Sequence, residues 1–161
     1  MTLEEASRLA GTVVGILKPF VSRIEVAGSI RRKSKNPQDV DIVLIPKKDD
    51  EKGWELVSAA LEEIGEVGER GKKQLFATVN GVNINIWRTT DESWGATLWF
   101  ATGPRGYNIA YRRKAKENEM LFNQYGLFRR TTGEYIAGRT EEELFAILRP
   151  EGFKKPEERG L

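Results

Sequence analysis

The sequence contains no cysteine and no histidine. The first absence removes disulfides, thiolate nucleophiles and Cys-ligated zinc. The second removes Ser-His-Asp and Cys-His nucleophile systems, His-ligated metals and a histidine general base. No apolar run approaches the ~18 residues of a membrane span. The acidic start Met1-Thr2-Leu3-Glu4-Glu5 lacks the apolar region of a secretory signal. Any catalysis must therefore rest on carboxylates, Lys and Arg, hydroxyls or hard metal ions. What is present is ordinary in amount. The 161 residues are 39% hydrophobic and 31% charged, which is enough for a core and too apolar for wholesale disorder.

The net charge is only +2 but is unevenly placed. Residues 28–36 hold Arg31, Arg32, Lys33 and Lys35 with no acid. Residues 103–139 hold Arg105, Arg112, Arg113, Lys114, Lys116, Arg129, Arg130 and Arg139 against Glu117, Glu119 and Glu134. Two basic segments on a nearly neutral chain fit a polyanion-facing surface. Solvated helix faces would give the same composition.

Hydrophobic spacing orders the chain. Leu3, Ala6, Leu9, Ala10, Val13, Val14 and Leu17 predict a helix over 3–17, with Thr2 as N-cap, Glu5 closing a capping box and Pro19 ending it. Residues 23–27 and 40–45 alternate as strands, and Ser29 is placed to cap a short basic helix between them. A helix is expected over 53–64. The runs 74–79 and 82–87 are joined by Asn80-Gly81, the signature of a two-residue type I′ hairpin turn. A basic helix is expected over 105–120, short strands over 122–137, and a last helix after Thr140.

Chemistry concentrates around Gly28-Ser29 and Asp39-Val40-Asp41. Residues i and i+2 of a strand share a face, so Asp39 and Asp41 point together while Val40 and Ile42 face the core. Paired carboxylates repel unless a cation sits between them, and hard oxygen ligands suit Mg²⁺. A small turn with a hydroxyl and the guanidinium groups of Arg31 and Arg32 makes a triphosphate cradle. A lone Asp-x-Asp would otherwise read as a solvated strand face.

These residues resemble family X DNA polymerases, within the polymerase-beta-type nucleotidyltransferases. The family pattern Gly-Ser-x-Arg-Arg followed by Asp-x-Asp reads here as Gly28-Ser29-Ile30-Arg31-Arg32 and Asp39-Val40-Asp41. The aromatic stretch ending in Thr-Gly reads as Leu98-Trp99-Phe100-Ala101-Thr102-Gly103, followed by Asn108 and Arg112. Asn123-Gln124-Tyr125-Gly126-Leu127, Glu141-Glu142-Glu143-Leu144-Phe145 and Pro156-Glu157-Glu158-Arg159 complete a likeness that spans nearly the whole chain. The resemblance implies a mixed α+β fold. A palm over 1–97 has its sheet flanked by helices, and a small α+β nucleotide-selecting lobe, the thumb, covers 98–161. It begins at residue 3, so the lyase-type domain of larger members is expected to be absent.

The resemblance also implies roles. Gly28, Ser29 and Arg32 hold the phosphates of a dNTP, and Thr102, Gly103 and Asn108 lie along its sugar and base. Arg105, Arg112, Arg113, Lys116, Asn123 and Gln124 face primed or gapped DNA. Asp39 and Asp41 bind two Mg²⁺ ions, for which Mn²⁺ can substitute. A monomer acting inside the cell on DNA is expected.

There are departures. The Ser-Gly that precedes the Asp pair in many relatives is Pro37-Gln38, and Ala101 replaces an aromatic. The third metal-binding carboxylate of the family falls on Asn85, in Val82-Asn83-Ile84-Asn85-Ile86-Trp87. An amide cannot take the primer 3′-OH proton, and loss of such a base typically costs ~10²–10⁴-fold. Asn85 is read as the mark of a form deliberately inactivated to trap its substrates, with a natural departure as the alternative. The implied function is addition of a dNTP to a primer 3′-OH in gap-filling repair. The alternatives are nucleotidyl transfer to RNA, protein or a small molecule, and a non-catalytic nucleotide- or DNA-binding module.

Overall fold

The structure is a computed structural model that describes residues Met1–Gly160. The chain divides into two compact units, Met1–Arg88 and Thr89–Leu161.

In the first unit, helix α1 (Leu3–Leu17) starts on the Thr2 capping box and buries Ala6, Ala10, Val13 and Leu17, a stripe at three- and four-residue spacing. A 3-10 turn through Pro19 leads into β1 (Val21–Ala27). The four-residue helix α2 (Gly28–Arg31) follows at once, then β2 (Val40–Pro46). Ser29 is not the cap of α2. The helix begins one residue earlier with no side-chain cap, because Gly28 itself makes the turn at φ +62°. Helix α3 (Glu51–Glu62) is capped by the Asp50 side chain, which accepts from Gly53 N at 2.8 Å. It therefore starts and ends two residues earlier than its apolar spacing predicts.

Strands β3 (Glu66–Arg70), β4 (Gln74–Val79) and β5 (Val82–Arg88) complete a five-stranded sheet in the order β1-β2-β5-β4-β3. β2 and β5 are parallel, and the other neighbours are antiparallel. The Asn80-Gly81 turn has φ +52° and +76°, the left-handed pair that a type I′ turn requires. Strand β3 escapes the sequence pattern because it is an edge strand with Val67 as its one apolar residue apart from glycine. Val40, Ile42, Leu44, Ile84, Ile86, Leu75 and Ala77 line one face of the sheet. They form one core with Leu17 and Val13 of α1 and with Trp54, Val57 and Leu61 of α3. Each large side chain buried there contributes ~1.5–3 kcal/mol. The opposite face is left for Asp41, Asn85 and their neighbours.

The second unit holds α4 (Trp94–Thr102), α5 (Arg105–Glu117), a meander β6 (Met120–Asn123), β7 (Gly126–Arg129) and β8 (Tyr135–Ala137), and α6 (Glu141–Leu148). The boundary expected after residue 97 would cut α4. The structure keeps α4 whole, because Ala96 and Trp99 share a core with Phe122, Leu127, Leu144 and Phe145. Trp99 stacks on Phe145 with ring centroids 4.1 Å apart. Thr140 caps α6, and Glu141 in its first turn is buried in an ion pair with Arg159 at 2.8 Å. Among the described residues, no helix is long and apolar enough to cross a membrane.

Candidate functional site

The sheet register brings the first-unit candidates together. β2 and β5 run parallel with Asp41 opposite Asn85, and Val40 opposite Ile84. Val40, Ile42, Ile84 and Ile86 go into the core, so Asp41 and Asn85 emerge side by side on the other face. Asn85 Nδ2 donates a hydrogen bond to Asp41 Oδ1 at 3.1 Å. The position matched to a third carboxylate thus lies beside the Asp pair, and its amide is already engaged with it.

Gly28 closes the other side. A Cβ built on it would collide with Oδ2 of Asp41. Together with φ +62°, that contact restricts the position to glycine. The chain then turns through α2. Ser29, Arg32, Asp39 and Asp41 line a pocket of about 360 Å³, with Ser34, Asn36, Pro37 and Gln38 forming the rest of its wall. A hydroxyl, a guanidinium and two carboxylates thus converge on one concavity.

The electrostatics of the pocket are opposed. Burial pushes the Asp41 carboxyl above its ordinary range, and Asp39 adds to this by like charge. Hydrogen bonds from Asn85 and Trp87 and the charge of Arg32 pull it back. Burial likewise lowers Arg32 below its ordinary value, against the favourable charge of Asp41. Trp87, on the same face as Asn85, is a contributor that sequence reasoning passed over; the period-two spacing from Asn85 was the available signal.

The second-unit candidates form three smaller groups. Thr102 is fully buried at the end of α4, and Gly103 caps that helix at φ +66°. Asn108, in the first turns of α5, donates through Nδ2 to Phe100 O at 3.0 Å, while its Oδ1 is buried with no partner among the described residues. Arg105, Arg112, Arg113 and Lys116 are exposed along α5. The last three, with Ile109, Leu121, Phe122 and Arg130, line a groove of about 450 Å³. Asn123 and Gln124 lie apart from that helix, at the β6–β7 turn. Asn123 Oδ1 accepts from Tyr125 N at 2.9 Å, and Gln124 O accepts from Thr97 Oγ1 at 2.7 Å. The Asn123 side chain is engaged in the turn, while the Gln124 contact is through its backbone carbonyl.

A family model described as the DNA polymerase beta thumb matches residues 97–160. A protein named repair DNA polymerase X from a Namibian warthog isolate of African swine fever virus is 32% identical over 149 residues. The match covers 88% of this chain and 85% of that protein. Its counterpart from a South African tick isolate is 31% identical over 155 residues with the same coverage. The chain belongs to family X of the DNA polymerases.

Family X polymerases generally use divalent metals. Asp39 and Asp41 are hard oxygen donors, and their mutual repulsion is what a bound divalent cation relieves. The pair fits such an ion. Asn85 does not extend the set to three acids, and among the described residues no group of three or more His, Cys, Asp or Glu is placed to hold a metal ion.

Proposed function

We propose that this family X chain is a DNA-directed DNA polymerase of the repair class, acting as a monomer on primed or gapped DNA with a dNTP. In this reading Met1–Arg88 is the catalytic palm, Thr89–Leu161 is the nucleotide-selecting thumb, and the amide at position 85 slows the reaction. The observation that carries it is the Asn85–Asp41 hydrogen bond at 3.1 Å beside the Ser29–Arg32 pocket, which supports the assignment of both sides of a phosphoryl-transfer site.

Ser29 offers a hydroxyl, and Arg32 a cation with several N–H donors, to the β- and γ-phosphates. Gly28 lets the backbone pass against Asp41 without a side chain between them. Asp39 and Asp41 hold Mg²⁺, two ions in the complete site, with Mn²⁺ as a substitute; when bound, the metal neutralises phosphate charge and lowers the pKa of the attacking hydroxyl. Asn85 has no negative charge and receives no proton, so the hydroxyl proton must leave by a slower route. In the thumb, Thr102 and Gly103 lie along the sugar and Asn108 faces the base. Arg105, Arg112, Arg113 and Lys116 neutralise DNA phosphates, assisted by Asn123 and Gln124. The amide at 85 favours a second reading, a module that binds DNA and nucleotide without turnover.

The test is binding of labelled primed DNA and of dNTP with and without Mg²⁺. The unaltered chain is expected to bind both. The double variant Asp39→Ala, Asp41→Ala should lose Mg²⁺-dependent dNTP binding by at least ~100-fold while DNA binding stays within a few-fold. Metal-dependent nucleotide binding of normal strength in that variant would overturn the assignment. Slow extension by the unaltered chain supports the polymerase; no extension even by Asn85→Asp supports the second reading.

A further inference from the structure

Strand β4 alternates strictly. Leu75, Ala77 and Val79 are buried, while Gln74, Phe76 and Thr78 take the other face. Outward positions of such a strand are ordinarily polar. Phe76 is a full aromatic ring that remains 41% exposed. Its Cα partner is Asn85. Asn85 is paired with Asp41 and Asp41 with Ala27, so one row of residues, Ala27–Asp41–Asn85–Phe76, crosses four strands. Neighbouring strands lie ~4.8 Å apart, which puts Phe76 roughly 10 Å from Asp41 along that row. Cross-strand partners share a face, so the ring stands on the face that carries Asn85 and Asp41.

The row has two chemically distinct ends. Gly28 to Arg32, with the hydroxyl and guanidinium that suit phosphate, begin directly after Ala27. At the other end Phe76 and Asn85 border a hollow of about 290 Å³, completed by Gly68, Ala77, Thr78 and Asn83. No charged side chain lines it, so it is not a phosphate seat. It suits the weakly polar face of a sugar or base.

In-line phosphoryl transfer requires the attacking and leaving oxygens on opposite sides of the reacting phosphorus. If the leaving pyrophosphate is held at the Gly28–Arg32 end, the attacking hydroxyl enters from the Phe76 end. The sugar that carries this hydroxyl extends a few ångströms further out, over the ring. We infer that Phe76 is the seat of the acceptor strand's terminal nucleotide, its ring packing against the terminal sugar so that the 3′-OH is presented beside Asn85. Phe76 is a positioning residue that confers preference for a recessed 3′ end. The inference rests on the functional reading above and adds to it the residue that seats the acceptor's terminal sugar.

The test uses DNA with 2-aminopurine as the primer's 3′-terminal base, bound to the unaltered chain in EDTA, so that neither metal nor turnover enters. Binding should change the fluorescence of the terminal base. It should also favour a recessed 3′ junction over a continuous duplex of equal length. Truncating an aromatic side chain that packs against a nucleotide typically weakens that contact about tenfold. Phe76→Ala should therefore reduce the junction preference about tenfold and flatten the fluorescence change, with Phe76→Leu intermediate. Both variants should melt close to the unaltered chain, since Phe76 stands outside the buried core. In an Asn85→Asp background, Phe76→Ala should raise KM for primer about tenfold and lower kcat, with the KM for dNTP nearly unchanged. An unchanged junction preference in folded Phe76→Ala overturns the inference, as does a rise in KM for dNTP instead of primer. Failure of the unaltered chain to bind primed DNA at all overturns the functional reading itself, and this inference with it.

Discussion

The two units solve the placement of polar groups in opposite ways. In Met1–Arg88 the side chains of the proposed site are held by strand register, with Asp41, Asn85 and Phe76 in one row across β2, β5 and β4. In Thr89–Leu161 a buried ion pair serves the core. Arg159 is enclosed by Trp99, Phe145 and Phe153 with its guanidinium 5.0–5.8 Å from their ring centroids, and it is paired with Glu141. The side chains proposed to meet DNA phosphates stand outside that core, exposed along α5. In the first unit Gly28 serves the turn and the approach to Asp41 with the same atoms, so a substitution there disturbs both site and fold. In the second the proposed DNA contacts lie on the surface, so they can be removed without disturbing the core.

The comparison is broken most severely in the second core. Replacing Glu141 with Ala leaves the Arg159 guanidinium buried without its counter-charge, a change that costs about 3–5 kcal/mol. Chemical denaturation should show that loss, with nucleotide binding preserved wherever the protein remains folded. Gly28→Ala comes next. A methyl forced against the Asp41 carboxylate at positive φ should cost about 1–3 kcal/mol and should impair metal-dependent dNTP binding together with stability, measured on the same samples. If either effect appears alone, site and fold in the first unit are separable after all.

Substitutions on α5 should do the reverse. Arg112→Ala, Arg113→Ala and Lys116→Ala should each reduce the log–log salt slope of DNA binding by about 0.7–0.9, with no shift in melting temperature. The smallest effect is a gain. Asp41 is raised by burial above its unfolded value, so the folded state holds its proton more tightly than the unfolded state does. That lowers stability as pH rises from the unfolded value near ~3.9 through the raised folded value. Asp41→Asn should therefore melt slightly higher than the unaltered metal-free protein at pH 7, with the difference closing as pH falls towards 4.

Much of this was legible in the residues because local chemistry forces local geometry. Asn80-Gly81 tolerates the left-handed pair of a type I′ turn, and Thr2 with Glu5 satisfies the first amides of α1. The candidate phosphate pocket was readable from Gly28-Ser29 and the Asp pair because their spacing is short. What stayed hidden depends on partners distant in sequence. Glu141 reads as one of three acids in an exposed first helical turn until Arg159 is seen to bury it. Phe76 reads as an ordinary strand aromatic, since only the register with Asn85 shows which face it takes. Strand β3 exists because β4 offers it an edge, not because Glu66-Val67-Gly68-Glu69-Arg70 favours a strand.

The central claim is that Asn85 occupies the third acidic position of a phosphoryl-transfer site whose other parts are intact. Its most direct test is single-turnover primer extension with Mg²⁺ by the unaltered chain, Asn85→Asp and Asn83→Asp, with dNTP affinity measured alongside. Asn85→Asp should raise the rate by at least ~10²-fold with little change in dNTP affinity, whereas Asn83→Asp should leave the slow rate unchanged. Rapid extension by the unaltered chain, or rescue by Asn83→Asp instead, would contradict the account.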